Sequence, residues 1–191
     1  MIYFIDNFLD KKLFDTTLKC LNNNKYIEHV TPGKSFWVQQ AEEEFIGGVI
    51  KALEKKENKK LESILGFFRL STDVIDAEWR IHSDGIINGQ QPDRAVVLYF
   101  SKKELTALHG TAFWIHNKYG KKQPPSVDAK EFDRLLLEDS GDLNKWELNS
   151  VIGYEQNRLI SYPANYFHSR YPNKSWEKGR QVFVMFYKEV D

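Results

Sequence analysis

A histidine and an aspartate stand two residues apart near the middle of the chain, in the stretch EWRIHSDG that runs from 78 to 85. Alternate residues of a β-strand point to the same face, so His82 and Asp84 can aim at one point, as can Arg80. One imidazole and one carboxylate are either two ligands of a metal ion or two polar residues where a strand ends in a loop. A third ligand elsewhere in the chain is needed to separate these two interpretations.

The best-placed third ligand is His168, in the stretch SYPANYFHSRYPN at the end of a late predicted strand. The other histidines are placed less well. His29 lies in a part of the chain that is predicted helical, and His109 and His116 flank an apolar strand. Two histidines and one carboxylate on one face are typical of non-haem Fe(II) oxygenases, because three protein ligands leave coordination positions open for other ligands.

An arginine opens the last predicted strand, RQVFVMFYK, twelve residues after His168. Arg180 shares a face of that strand with Val182, and an unpaired charge on an apolar face is costly. The planar guanidinium group suits a carboxylate partner. Tyr99 in the strand VVLYF can add a hydroxyl donor to the same carboxylate, or it can be a core residue whose hydroxyl lies at the rim.

Two further arginines lie close to the candidate ligands in sequence. Arg80 either lines the pocket beside His82 or pairs with Glu78 or a neighbouring strand, and we favour the structural role. Arg170 follows His168 by two residues and either meets an anionic group of the substrate or is exposed to solvent, of which we favour exposure.

The elements that must position these residues change character along the chain. IYFI is predicted as a strand, Asp10 as the cap of a helix, FWVQ as a strand, and 41–67 as a second helix. From residue 67 onwards about eight short strands follow. Helices followed by strands predict an α+β chain whose β part is a sandwich or a barrel. The segment 120–150 is predicted as an insertion, and with the loop 85–94 it is a candidate lid over the site.

The bulk composition narrows the class of protein. The chain has 191 residues, with Lys+Arg and Asp+Glu both 27, so its net charge is near zero and argues against nucleic acid as a partner. The single cysteine, Cys20, cannot form an intrachain disulfide, and we expect it to be buried in the first helix. We see neither a signal peptide nor an apolar run that could span a membrane, so we expect a cytoplasmic protein.

The order of five stretches resembles that of the Fe(II)/2-oxoglutarate-dependent dioxygenase superfamily, with the prolyl 4-hydroxylase-like branch closest. The stretches are WRIHSDG, AVVLYFS, HGTAFW, NRLISYPANYFHS and GRQVFVMFY. DNFLDKKLF also resembles the opening strand and helix of that branch. The resemblance covers 67–120 and 150–188 well and the first 66 residues loosely. Two departures are the His109-Gly110 pair, where family members commonly have two glycines, and the insertion.

The resemblance implies a fold and a set of site residues. It implies a double-stranded β-helix (jelly-roll or cupin-like) core with flanking N-terminal helices, in a single oxygenase domain over 1–191. Residues 1–66 would support the core, and 67–191 would form it. By matching motif positions, the resemblance implies His82, Asp84 and His168 as iron ligands, and Arg180 and Tyr99 on the distal carboxylate of 2-oxoglutarate.

The implied activity is a hydroxylation that uses Fe(II), 2-oxoglutarate and O₂. The substrate would be a peptidyl (prolyl-like) residue or a small molecule, and succinate and CO₂ would be released. Two alternatives stay open at this point: a cupin-like metal-binding isomerase, and a non-catalytic binding or interaction module. Arg180 discriminates among these classes, because neither alternative needs an anchor for 2-oxoglutarate.

Overall fold

The computed structural model describes residues 1–31, 34–76, 79–101, 109–125, 128–173, 176 and 179–191. Its strands are β1 (Tyr3–Ile5), β2 (Ile27–Thr31), β3 (Lys34–Gln40), β4 (Lys60–Ser71), β5 (Arg94–Tyr99), β6 (Gly110–His116), β7 (Trp146–Gly153), β8 (Leu159–Pro163), β9 (His168–Tyr171) and β10 (Arg180–Val190). Its α-helices are α1 (Lys11–Asn23), α2 (Glu43–Glu57) and α3 (Ala129–Arg134), and α3 continues as a π-helix over Leu135–Asp139. Among the described residues, no helix is long and apolar enough to cross a membrane.

The first helix forms as predicted. The Asp10 side chain accepts a hydrogen bond from the backbone N–H of Leu13, which satisfies one of the unpaired donors at the helix start. Phe14 and Leu21 are buried on the face that packs against the core. The prediction for Cys20 was wrong, because this residue lies on the opposite, exposed side of α1.

The second helix is shorter than predicted, and the strand that follows it is longer. Asn58 adopts a left-handed conformation (φ 53°) just after Glu57 and so ends α2. The chain then enters β4, which pairs with β10 from Lys60 to Ser71. This long pairing overrides the helical pattern of residues 60–67. The strand β2 was not predicted at all, and His29 therefore lies on a strand rather than in a helical region.

The strands form two antiparallel sheets. The larger sheet has the order β1-β8-β5-β10-β4-β3-β2, and the smaller has the order β7-β6-β9. One face of the larger sheet packs against α1 and α2 through a cluster that includes Phe68 and Phe183. Its other face meets the smaller sheet through a second cluster that includes Phe113, Tyr162 and Val182. Helices before a run of antiparallel strands are the predicted α+β organisation.

The insertion is docked onto the smaller sheet. Part of the predicted segment is strand, because β7 begins at Trp146 rather than after residue 150. The Asp139 carboxylate accepts hydrogen bonds from His116 Nε2 (3.1 Å) and Arg134 Nη2 (2.8 Å), and the Asp139 carbonyl accepts one from Trp146 Nε1 (2.7 Å). These buried contacts attach the end of the insertion to β6 and β7.

Candidate metal centre and its cavity

The backbone brings the three predicted ligands together at the edge of the smaller sheet. His82 and His168 exchange two backbone hydrogen bonds, of 3.0 Å from His82 N and 2.8 Å from His168 N. The backbone N–H of Asp84 donates to the carbonyl of Ala164 at 2.8 Å, which fixes the segment that follows. One ligand atom from each of the three residues lies within 4.8 Å of the other two, so His82, Asp84 and His168 could hold one metal ion.

The hydrogen bonds of both imidazole rings set the tautomer that a metal requires. His82 Nδ1 lies 3.1 Å from the carbonyl of Arg80, and His168 Nδ1 lies 2.9 Å from the carbonyl of Tyr166. A carbonyl oxygen only accepts, so each Nδ1 carries the proton. Each Nε2 then carries the lone pair that binds a metal ion, with the ring orientation held by the backbone.

Burial disfavours the charged forms of both Asp84 and His168. Burial raises the pKa of Asp84 to about 8, although the positive charge of Arg69 acts in the opposite direction. Burial lowers the pKa of His168 to about 4. Asp84 Oδ2 has no hydrogen-bond partner among the described residues, and the 3.9 Å to His168 Nε2 is too long for one. A buried carboxylate oxygen beside two imidazole lone pairs fits a divalent metal ion.

A buried arginine lies in the same cavity, surrounded by hydroxyl groups. Arg180 is 6% exposed, and its guanidinium lies over the rings of Tyr99 (5.5 Å) and Trp176 (5.7 Å). Arg180 Nη2 lies 3.5 Å from Thr111 Oγ1, and the Thr111 and Tyr99 hydroxyls share a hydrogen bond of 2.6 Å. Arg180 Nε has no hydrogen-bond partner in the described part of the chain. Together these groups could hold a carboxylate.

Thr111 was missed by the sequence prediction, although a signal for it exists. It is the hydroxyl residue at the start of the apolar strand TAFWIH, and it is 1% exposed. A hydroxyl at a buried strand position needs a polar partner, which is the argument that selected Arg180.

The candidate ligands and the arginine line one cavity of about 1310 Å³ between the two sheets. The cavity is also lined by Arg80 and Arg170, which are both half-buried rather than solvent-exposed. The favoured expectation of exposure for Arg170 was therefore wrong, because this side chain packs against the loop after β4. Glu78, the alternative partner of Arg80, lies outside the described residues.

Arg69 also faces this cavity and was not selected from the sequence. It follows Phe67 by two residues on β4 and pairs with Val182 of β10, which places it on the inner face of the larger sheet. A charged residue that alternates with apolar ones in the stretch FFRLS was the signal that could have identified it.

The remaining histidines lie apart from the candidate ligands. His109 packs edge-on against Trp176 with ring centroids 4.6 Å apart, and His116 is bonded to Asp139. His29 lies on β2 among the residues that line the cavity. The loop 85–94 contributes Gly85, Ile87 and Asn88 to the cavity wall, and the insertion contributes Leu136.

The sequence matches no protein-family model and no curated protein, whereas the structure matches solved structures over nearly its whole length. HygX from Streptomyces hygroscopicus, with nickel and 2-oxoglutarate bound, gives a TM-score of 0.59 at 10% identity over 98% of this chain and 82% of HygX. A Pseudomonas putida prolyl-4-hydroxylase gives 0.56 at 10% identity, over 99% of this chain and 92% of its own.

A third neighbour is SnoN, a non-haem α-ketoglutarate-dependent epimerase from nogalamycin biosynthesis. Its TM-score is 0.57 at 12% identity, over 98% of this chain and 78% of SnoN. These identities are low, so the comparisons establish a shared fold. The predicted resemblance to the structures of iron- and 2-oxoglutarate-dependent enzymes is confirmed at that level.

Proposed function

We propose that this protein is an Fe(II)- and 2-oxoglutarate-dependent dioxygenase that hydroxylates a C–H bond of a peptidyl (prolyl-like) or small-molecule substrate. The observation that carries the proposal is the presence, in one cavity, of a His-Asp-His cluster and a separate buried arginine with hydroxyl neighbours. A metal-bound keto acid needs both features, since one end of the molecule binds the metal and the other end carries a second carboxylate.

The strand order supports a double-stranded β-helix as the core of the fold. The strands β8-β5-β10-β4 of the larger sheet face β7-β6-β9, and the bridge between His82 and His168 extends the smaller sheet by one more segment. Two facing sheets of four segments each are what a jelly roll requires. We propose one domain over 1–191, in which 1–66 supports a core formed by 67–191.

The proposed roles follow from the contacts of each residue. His82, Asp84 and His168 would hold the iron, with their orientation fixed by the carbonyls of Arg80 and Tyr166 and by the backbone of Ala164. When bound, iron with 2-oxoglutarate and O₂ supplies oxygen insertion into a C–H bond, and the keto acid is converted to succinate and CO₂.

The protein would hold the distal carboxylate of 2-oxoglutarate through three groups. The Arg180 guanidinium would supply charge-assisted hydrogen bonds, and the Thr111 and Tyr99 hydroxyls would donate further ones. Burial disfavours the positive charge of Arg180 and so lowers its pKa. A bound anion would compensate that charge. We further propose that Arg80 and Arg170, on the cavity wall, contact the substrate.

The experiment that tests this function is an anaerobic titration with Fe(II) and then 2-oxoglutarate. We expect tight uptake of one iron per chain, a visible charge-transfer band when 2-oxoglutarate is added, and slow succinate formation when O₂ is admitted. His168→Gln should abolish the band, and Arg180→Gln should shift its appearance to higher 2-oxoglutarate concentration.

His29→Gln is the matched control, because it removes an exposed histidine that lines the same cavity. This variant should behave like the unmodified protein. Iron uptake without any response to 2-oxoglutarate would instead favour a cupin-like isomerase, and uptake of neither would favour a non-catalytic binding module.

A further inference from the structure

Two arginines from opposite sheets meet on the cavity wall. Arg69 comes from β4 of the larger sheet, and Arg170 comes from β9 of the smaller sheet, two residues after His168. Both line the cavity that contains the candidate metal ligands. The positive charge of Arg69 contributes to lowering the pKa of Arg170, so the two guanidinium groups lie close enough to repel each other.

One residue, Asp76, holds both of these side chains. Its carboxylate accepts hydrogen bonds from Arg69 Nε and from Ser71 Oγ (2.9 Å), and its backbone carbonyl accepts one from Arg170 Nη1 (2.7 Å). The Asp76 side chain is fully buried, and its backbone is left-handed with φ 51°. A left-handed aspartate is uncommon and costs local strain, so both arginines are held by a specifically shaped turn.

The Arg69 guanidinium is held in the cavity wall by contacts on one edge and one face. Its Nε donates to Asp76, and its plane lies 4.7 Å from the centre of the Phe36 ring. Within the described part of the chain, the two terminal nitrogens of Arg69 make no hydrogen bond. They are therefore available as a pair of parallel donors, the arrangement that binds a carboxylate or a phosphate.

Arg69 and Arg180 are diagonal neighbours on one face of β4 and β10, because Arg180 pairs with Ser71 and Val182 pairs with Arg69, but their side chains contact different elements. The contacts of Arg180 are with Tyr99 of β5 and Thr111 of β6. The contacts of Arg69 are with Phe36 of β3 and with Asp76, on the other side of β4. A single 2-oxoglutarate molecule held by Arg180 and the metal would leave the β3 side of a cavity of about 1310 Å³ for another ligand.

The β3 side also offers an apolar surface beside the arginine pair. Phe36 and Val38 of β3 and Phe67 of β4 line the cavity there, next to Arg69. We propose, building on the proposed function, that the substrate is an amphipathic anion. Its carboxylate or phosphate group binds Arg69 and Arg170, and its apolar part lies along Phe36 and Val38.

The test uses three probes with the same aromatic ring, namely phenyl phosphate, phenylacetate and the uncharged benzyl alcohol. Each is titrated by calorimetry into the protein saturated with Ni(II) and 2-oxoglutarate, where no turnover occurs. We expect at least one of the anions to bind and the alcohol not to bind. The anion that binds more tightly identifies the head group, and equal binding of all three probes would overturn the proposal.

Variants of Arg170 and Arg69 test whether these residues bind the anionic probe. Arg170→Gln should weaken anion binding at least about tenfold, because a charge-assisted hydrogen bond is lost, and Arg170→Lys should recover only part of it. Lys12→Gln, on the exposed face of α1, is the control for a general loss of positive charge. Since Arg69→Gln alone would leave the Asp76 carboxylate buried, Arg69→Gln is combined with Asp76→Asn, and its folding is checked by thermal melting.

The same variants separate this inference from the proposed function. Arg170→Gln should leave the affinity for 2-oxoglutarate unchanged, whereas Arg180→Gln should reduce it. If Arg170→Gln weakens 2-oxoglutarate binding as strongly as Arg180→Gln does, the pair belongs to the cosubstrate site and the inference is wrong. If the unmodified protein binds neither Ni(II) nor 2-oxoglutarate, the proposed function fails. The anion titration of the metal-free protein then still decides the role of the pair.

Discussion

Two buried histidine–aspartate pairs lie beside the smaller sheet, and they differ in the hydrogen bonds that their side chains make. At the contact between β6 and the insertion, His116 Nε2 lies 3.1 Å from the Asp139 carboxylate, which also accepts a hydrogen bond from Arg134 at 2.8 Å. In the cavity, His168 Nε2 lies 3.9 Å from Asp84 Oδ2, and that oxygen has no hydrogen-bond partner among the described residues. The histidine and the aspartate are therefore hydrogen-bonded to each other in the first pair but not in the second.

The orientation of the rings explains the difference. His116 Nδ1 accepts a hydrogen bond from the backbone N–H of Lys118, so its Nε2 carries the proton and donates to Asp139. His168 Nδ1 donates to the carbonyl of Tyr166, so its Nε2 carries a lone pair toward Asp84. A lone pair and a carboxylate do not bond to each other. The first pair is therefore hydrogen-bonded within itself, whereas the second could hold a cation.

The largest difference between the pairs should appear in metal affinity. His168→Gln removes one of three ligands, and we expect the affinity for Fe(II) or Ni(II) to fall by at least about 100-fold. His116→Gln should leave metal affinity unchanged, because this ring is already bonded to Asp139. Calorimetric titration of both variants measures the effect, and an equal loss in both would erase the distinction.

Stability of the metal-free protein should show the reverse pattern. Asp139→Asn removes a buried carboxylate that accepts hydrogen bonds from His116 and from the partly exposed Arg134, and we expect the free energy of unfolding to fall by about 2 kcal/mol. Asp84→Asn removes a carboxyl whose pKa burial raises to about 8, so the metal-free protein should be unchanged or more stable by about 1 kcal/mol. Urea unfolding of both variants measures this, and marked destabilisation by Asp84→Asn would contradict the comparison.

Removing one hydroxyl from the cavity or one indole N–H near the insertion should affect different properties, namely 2-oxoglutarate binding and stability. Tyr99→Phe removes a hydroxyl from the Arg180 pocket and should weaken 2-oxoglutarate binding by about tenfold, the value of one hydrogen bond to a charged group. Trp146→Phe removes the donor to the Asp139 carbonyl and should reduce stability without affecting 2-oxoglutarate. Binding and unfolding measured on both variants test this crossed pattern, and a stability loss in Tyr99→Phe alone would count against it.

The smallest expected effect is a pH dependence of stability that arises from the pair formed by His116 and Asp139. Burial lowers the pKa of His116 below its usual 6.5. Burial alone raises the pKa of Asp139, but the hydrogen bonds from Arg134 and His116 outweigh burial and hold that pKa below its usual value. Both groups bind protons more readily when unfolded, so stability rises with pH. The contribution of His116 is lost as the pH falls below about 6.5, and that of Asp139 is lost only below its usual pKa of 3.8.

His116→Gln should flatten this dependence between neutral pH and about pH 5, the range in which an unperturbed histidine titrates. Unfolding curves at several pH values, compared with those of the unmodified protein, provide the measurement. An unchanged slope in the variant would show that other groups carry the pH dependence.

The sequence predicted which three side chains lie together better than it predicted the bounds of the elements around them. His82, Asp84 and His168 could be selected because their residue types and strand-end positions are local features, and the structure brings them within 4.8 Å of one another. The order of motifs also indicated the right set of structural neighbours.

The errors came from tertiary pairing, which no local pattern contains. Residues 60–67 were predicted helical, but the register of β4 against β10 makes them strand. The stretch WELNS was assigned to the insertion, although it pairs with β6. Asp76 was overlooked because its contact with Arg170 joins a loop after β4 to the other sheet.

The most direct test of the account is a crystal structure grown without oxygen in the presence of Ni(II) and 2-oxoglutarate. We predict an anomalous peak for nickel between His82 Nε2, His168 Nε2 and the Asp84 carboxylate, with the distal carboxylate of 2-oxoglutarate on Arg180 and Thr111. Nickel bound elsewhere, or 2-oxoglutarate held by Arg69 and Arg170 instead of Arg180, would contradict it.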